Sequence, residues 1–265
     1  MNKNHLYHCN GFPVEFMMSL LFVVVSVMYI GAAIASNRHS HLRKWPLYRS
    51  FFWLLGILCA AAAMLGPLAG RSHIDFTAHM IGHLLLGMLA PLLLVLAAPM
   101  TLVLRTLNVK TARRLSRVLK SWPVRTLSNP IVATLLNFGG LWILYTTNLY
   151  SAMYQNILLH LFIHFHVLIA GYLFTMSMIY IDPTPHGSSF IYRAIVLVIA
   201  LASHGILSKY IYAQPPAGVL AVQAEIGGML MYYGGDAIDI ILVFIFCLHW
   251  FRANRPRTKV HESAS

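Results

Sequence analysis

Apolar residues in this chain fall in long, nearly unbroken blocks rather than in alternation. Seven blocks can be read, at about 14–36, 47–69, 76–104, 130–150, 157–181, 190–212 and 226–251. Each is long enough to cross ~30 Å of hydrocarbon at ~1.5 Å per helical residue. Blocks of this kind predict helices, because the strands of a membrane barrel would alternate with a period of two. The expected fold is an all-α integral membrane protein, one bundle of seven transmembrane helices over residues 1–265. The first block carries "AAIAS", which looks like a cleavage site, but its apolar run is too long for a signal peptide and only Lys3 precedes it. It is read as a retained span.

The polar segments between blocks set the orientation. Basic residues directly follow the first block in "NRHSHLRKW", and such residues hold their end in the cytoplasm. Alternating from there places sixteen Lys and Arg on the cytoplasmic side and only Lys3, Arg71 and Lys209 outside. This asymmetry predicts an outside N-terminus and a cytoplasmic C-terminus, in the cytoplasmic (inner) membrane of a bacterium. The longest loop, about 105–128, contains "LNVKTARRLSRVLKSWPVRTL". Its apolar residues approximate one helical stripe with Arg and Lys opposite, which suits an interfacial helix on an anionic leaflet. Residues 252–265 form a short basic cytoplasmic tail.

Composition narrows the function. Charged residues make up 10% of the chain and hydrophobic ones 58%, against about 25% charged in a soluble domain. The net charge of +12 would suit a nucleic-acid binder, but the bases lie between apolar blocks, so the expected partner is the lipid bilayer and not nucleic acid. Cys9, Cys59 and Cys247 form no CxxC and no disulfide framework. His5 and His8 stand near Cys9, where a metal contact is conceivable. No P-loop, HExxH or GxSxG is present, so no enzymatic activity is expected.

Ionisable residues inside apolar spans mark function by default. With the topology above, His79 and His83 occupy the first two turns of the third span, and His160 and His164 those of the fifth. Each pair is four residues apart, hence on one helix face. His204 lies in the outer half of the sixth span, and Asp236 about three turns into the seventh. Four imidazoles from two helices at one depth suit a metal site in a bundle core. His204 and Asp236 are candidates for an additional ligand or for orienting one. His166 points elsewhere on its helix, and His186 in "DPTPHG" belongs to a cytoplasmic loop. Met18, Met64 and several other methionines lie toward the outer half; thioethers favour copper(I), though Met also simply packs. A single b haem held by one His from each helix is an alternative cofactor.

Three stretches carry a family resemblance. "HMIGHLLLGMLAPLLLVLAAP", "HLFIHFHVLIAGYLF" and "AEIGGMLMYYGGD" resemble the span signatures of the polytopic CtaG family of cytochrome c oxidase assembly factors. Where that family is expected to carry Asp-Gln, this chain has Ala224-Glu225. The resemblance implies help in maturing a haem–copper oxidase by handling copper, with oxidase subunits and a periplasmic copper carrier as partners. It points first to His79 and His83, then to His160 and His164. Competing expectations are a membrane redox protein with b haem and a structural protein like the oxidase's own seven-span third subunit.

Overall fold

The computed structural model describes residues 4–38, 42–184 and 187–255, with side chains from residue 14 onward. Lys3, His186, Arg257 and Lys259, and the side chains of His5, His8 and Cys9, lie outside the described residues. Every regular element among the described residues is helical. In chain order these are α1 (Asn4–Arg38), α2 (Leu47–Met64), α3 (Gly66–Ser72) and α4 (Phe76–Thr106). Then come α5 (Val109–Leu119), α6 (Trp122–Leu127), α7 (Pro130–Thr146), α8 (Leu149–Met153), α9 (Ile157–Met178), α10 (Phe190–Ala213) and α11 (Ala221–Asn254).

Six of them are long and apolar enough to cross a membrane: α1 from Val14, α2, α4, α9, α10 and α11. The fourth apolar block yields a shorter helix. α7 has 17 residues, about 26 Å of rise. It ends where Thr146 and Thr147 turn their hydroxyls back onto the carbonyls of Trp142 and Ile143, and Thr147 goes extended. The second block also divides. Gly66 takes φ +77, a conformation that L side chains resist, and α3 restarts behind it. α5 buries no residue; Lys110, Arg113, Arg114 and Arg117 are exposed, as are Val109 and Val118, while Ala112, Leu115 and Leu119 are half-buried.

α4 is the centre of the bundle. Of its most apolar stretch 67% is buried, against 17–33% for the other five. The helix widens into a π turn at Leu85–Leu89, and α7 does the same at Leu135–Gly139. Near its far end α4 breaks at Ala98, whose φ is +50, and restarts at Pro99. The restarted N-terminus has orphan N–H groups, and Asp182 satisfies two of them. Its carboxylate accepts from Met100 N at 3.0 Å and Thr101 N at 2.7 Å. Asp182→Ala is expected to cost about 1–2 kcal/mol by loss of this cap, seen as a Tm a few degrees lower in detergent with metal binding unchanged.

Close approach of backbones fixes which helices share the core. A Cβ on Gly171 of α9 would collide with the Gly87 carbonyl of α4 and come within 2.9 Å of Pro91 Cγ. α9 and α4 therefore run in parallel with only glycine between them. α11 closes the other side, with Gly227 on Phe76 and Gly235 on the ring of His204. At the opposite end from the histidines, buried Arg193 donates to the Met178 carbonyl at 2.6 Å and lies over the Tyr180 and Phe190 rings.

Candidate metal centre

α4 and α9 begin in the same way. Asp75 caps α4, accepting from Thr77 N at 2.9 Å. Asn156 caps α9, accepting from Leu158 N at 2.9 Å and Leu159 N at 3.3 Å. The histidines follow each cap at the same offsets, four and eight residues: His79 and His83, His160 and His164. The pairs nevertheless come to different depths. The Gly87–Gly171 contact joins a position twelve residues past one cap to a position fifteen past the other. α9 is thus displaced by three residues toward its capped end, about 4.5 Å. His164 comes level with the interval between His79 and His83, and His160 lies beyond both.

His79, His83 and His164 line one small cavity of about 20 Å³ with Ser72, Tyr145 and Ile163. His79 and His83 are each 6% exposed. The hydrogen bonds assign the tautomers. Tyr154 donates its hydroxyl proton to the Ser72 carbonyl at 2.8 Å; burial raises its pKa, so it keeps that proton. Its oxygen therefore accepts from His79 Nδ1–H, 3.0 Å away. His79 Nε2 then accepts from Tyr145 O–H, also at 3.0 Å. His164 Nδ1–H donates to the His160 carbonyl at 2.9 Å, leaving a lone pair on Nε2.

His83 Nε2 is buried without a hydrogen-bond partner, and so is His204 Nε2. Their ring centroids are 6.4 Å apart. His204 is 1% exposed and fits only because residue 235 is glycine, where a Cβ would come within 2.9 Å of Nδ1. Asp236, the next residue, is turned away by one helical step and is exposed; it does not reach the imidazoles. Asp239 is buried but lines a separate, deeper cavity of about 20 Å³ with Asn137 and Thr175. His166 donates from Nε2 to the Leu136 carbonyl at 3.1 Å, a backbone acceptor inside the π turn of α7, and stands outside the site.

The structure therefore brings together His79, His83, His164 and His204, sets His160 at the rim, and leaves Asp236 out. Among the described residues no three His, Cys, Asp or Glu side chains already stand at ion-holding distances. Two of the rings lining this cavity have a nitrogen without a hydrogen bond, His83 at Nε2 and His164 at Nε2, and His79 offers a third once Tyr145 releases it. Sequence spacing alone does not reveal His73, Tyr145 or Tyr154. The available signal was their place in the loops and helix ends flanking the histidine turns, together with the recurrence of Tyr145, Tyr150 and Tyr154 along the segment before α9.

Six helices long and apolar enough to cross a membrane, with buried imidazoles gathered near one end, are the features of a multi-pass membrane protein. The chain belongs to the cytochrome c oxidase caa3 assembly factor family (Caa3_CtaG), whose family profile matches residues 27–253. This bears out the resemblance carried by the third, fifth and seventh blocks. An uncharacterized protein of Mycobacterium bovis, Mb0105, is 33% identical over 172 residues, covering 62% of this chain and 25% of its own length. An uncharacterized protein of Mycobacterium leprae, ML1998, is 26% identical over 263 residues, covering 91% of this chain and 39% of its own. The chain thus spans well under half the length of these curated relatives. No solved structure matches it.

Proposed function

We propose that this protein is a single-domain, seven-span assembly factor of the bacterial inner membrane that receives copper at the histidine chamber and hands it to a haem–copper oxidase subunit. α7, fourth in chain order, completes the seven spans, the N-terminus is outside, and the chamber opens to the extracytoplasmic side. In favour of this orientation, the ends of α4 and α9 opposite the histidines carry Arg105 and pack against Arg193, and most of the chain's basic residues belong to that side. A periplasmic copper carrier is the natural donor and an oxidase subunit beside it in the bilayer the acceptor.

The observation that carries the copper reading is His83 Nε2, buried and unpartnered, in a cavity it shares with the open Nε2 of His164. A buried polar atom without a partner costs about 1–3 kcal/mol, and the chamber leaves that cost unrelieved until an ion binds. Neutral imidazoles suit copper among other soft or borderline ions. Tyr145 competes with the ion for His79, whereas Tyr154 holds His79 in the tautomer that presents Nε2.

Competition of the purified full chain against a colorimetric copper(I) chelator tests this. One tightly held copper per chain is expected at the chamber, with Tyr145→Phe binding it more tightly and Tyr154→Phe roughly 10-fold more weakly, as for loss of a group that orients a ligand. A Soret band in the absorption spectrum of the purified protein would replace the reading with a b-haem protein. Absence of both, with stable co-purification of oxidase, would make it a structural companion of the oxidase.

A further inference from the structure

Beyond the chamber, a second group of histidines faces a different space. His73 follows the last turn of α3 and is exposed. Its ring is stacked on His160, with centroids 5.3 Å apart and planes 13° apart. His160 is stacked in turn on His164, 4.2 Å and 25°. His160 Nδ1 is buried and has no hydrogen-bond partner. These rings border a vestibule of about 590 Å³ between the start of α1, the α2–α3 break and the start of α9. Two thioethers, Met18 and Met64, and the carboxylate of Glu15 line the same vestibule.

Two residues connect the vestibule to the chamber. His164 lines both spaces. Tyr154 lines the vestibule, lies 5.1 Å from the His73 ring and 5.8 Å from the His160 ring, and reaches through to hydrogen-bond His79. The wall between the two spaces is therefore made of one ligand histidine and of the tyrosine that fixes another.

We propose that His73 and His160, with Met18 and Met64, form a receiving station for copper(I) in the vestibule, distinct from the inner chamber, and that His164 passes the ion inward. This rests on the copper reading of the chamber and adds a second site and a direction of travel. The donor set fits a soft monovalent ion: two imidazoles and two thioethers, with the carboxylate at the edge. Transfer is ligand exchange at constant oxidation state. The ion leaves the His160 and thioether donors as the open Nε2 of His164 takes it up, then passes to His83. The rings of His73, His160 and His164 are stacked, so handover along them needs rotation about their own side-chain bonds, which is fast for side chains that are not buried. Glu15 is the acidic group lining the vestibule mouth, where a negative charge raises the local concentration of cations.

The test separates rate from occupancy. Purified full chain in nanodiscs is mixed with a copper(I)–chelator complex whose colour reports release, and equilibrium stoichiometry is measured on the same samples. The wild type is expected to take up two coppers, a tight one and a weaker one. His73→Ala and His160→Ala are expected to lose the weaker copper and to fill the tight site at least 10-fold more slowly, with its final occupancy unchanged. Met18→Leu with Met64→Leu should slow filling in the same sense. Retained tight occupancy shows that the variants are folded, and His73 is exposed, so its removal disturbs no core. Unchanged filling rates and an unchanged second copper in both histidine variants overturn the station while leaving the chamber intact. A wild type that takes up no copper overturns the chamber reading and the station with it.

Discussion

Replacing His83 and His164 together by alanine is expected to strip the tight copper from the chain. These two rings supply the open nitrogens of the chamber. His83 Nε2 has no partner, and His164 Nε2 is left free by the bond from Nδ1 to the His160 carbonyl. Without them His79 remains, with both ring nitrogens already engaged by Tyr145 and Tyr154. Loss of a group that merely orients a ligand weakens binding by about 10–100-fold, so loss of two direct ligands should exceed roughly 100-fold. Chelator competition reads this directly. The double variant removes one hydrogen bond and some ring volume, so it should still purify as a folded protein with a Tm within several degrees of the parent. In cells its oxidase should be copper-deficient. Copper retained at parental affinity in a folded double variant would refute the site assignment.

The second large effect is expected from Gly171→Val. The Cβ alone collides with the Gly87 carbonyl and crowds Pro91, and valine adds two methyl groups. A flexible side chain could swing aside, but a backbone carbonyl and a proline ring cannot. Overpacking of this sort typically costs 1–3 kcal/mol, and here relief requires α9 to move off the central helix. That motion carries His164 away from His83. Gly171→Val should therefore lower both Tm and copper affinity, whereas a chemically milder variant of the ligands lowers only the second. Gly31→Ala is the matching control, because nothing lies within 4 Å of its added Cβ. Equal effects of the two glycine substitutions would show that the α4–α9 contact does not set the site.

The helices and the histidine pairs were legible in the sequence because both rest on local periodicity. Apolar length gave the long helices, six of them long enough to cross a membrane, and four-residue spacing gave one face for each pair. The equal offsets of the pairs from Asp75 and Asn156 even suggest a symmetrical four-histidine site. What breaks that symmetry is the three-residue stagger between α4 and α9, set by a contact between Gly87 and Gly171 that no local pattern encodes. For the same reason His160 lies at the rim and His73, from a short loop, becomes its neighbour. Depth along a helix does not set azimuth, and Asp236 is exposed on a face away from the imidazoles. One helical step separates it from Gly235, and it is Gly235 that faces His204. The fourth block overran because apolarity continues through Leu149 and Tyr150, while the helix is ended by the hydroxyls of Thr146 and Thr147.

The π turn at Leu85–Leu89 gives the chamber an unusual kind of fragility. A π turn holds one more residue than the α-helical turn it replaces, so the portion of α4 bearing His79 and His83 is rotated by about 100° relative to a regular continuation from Pro91 onward. Chain length within those five residues therefore acts as an angular setting. Removing a single residue there would let the helix close into ordinary α geometry and swing the imidazole face around the axis, while every residue of the chamber remained in the protein. For this part of the chain, an insertion or deletion is a change of direction before it is a change of length.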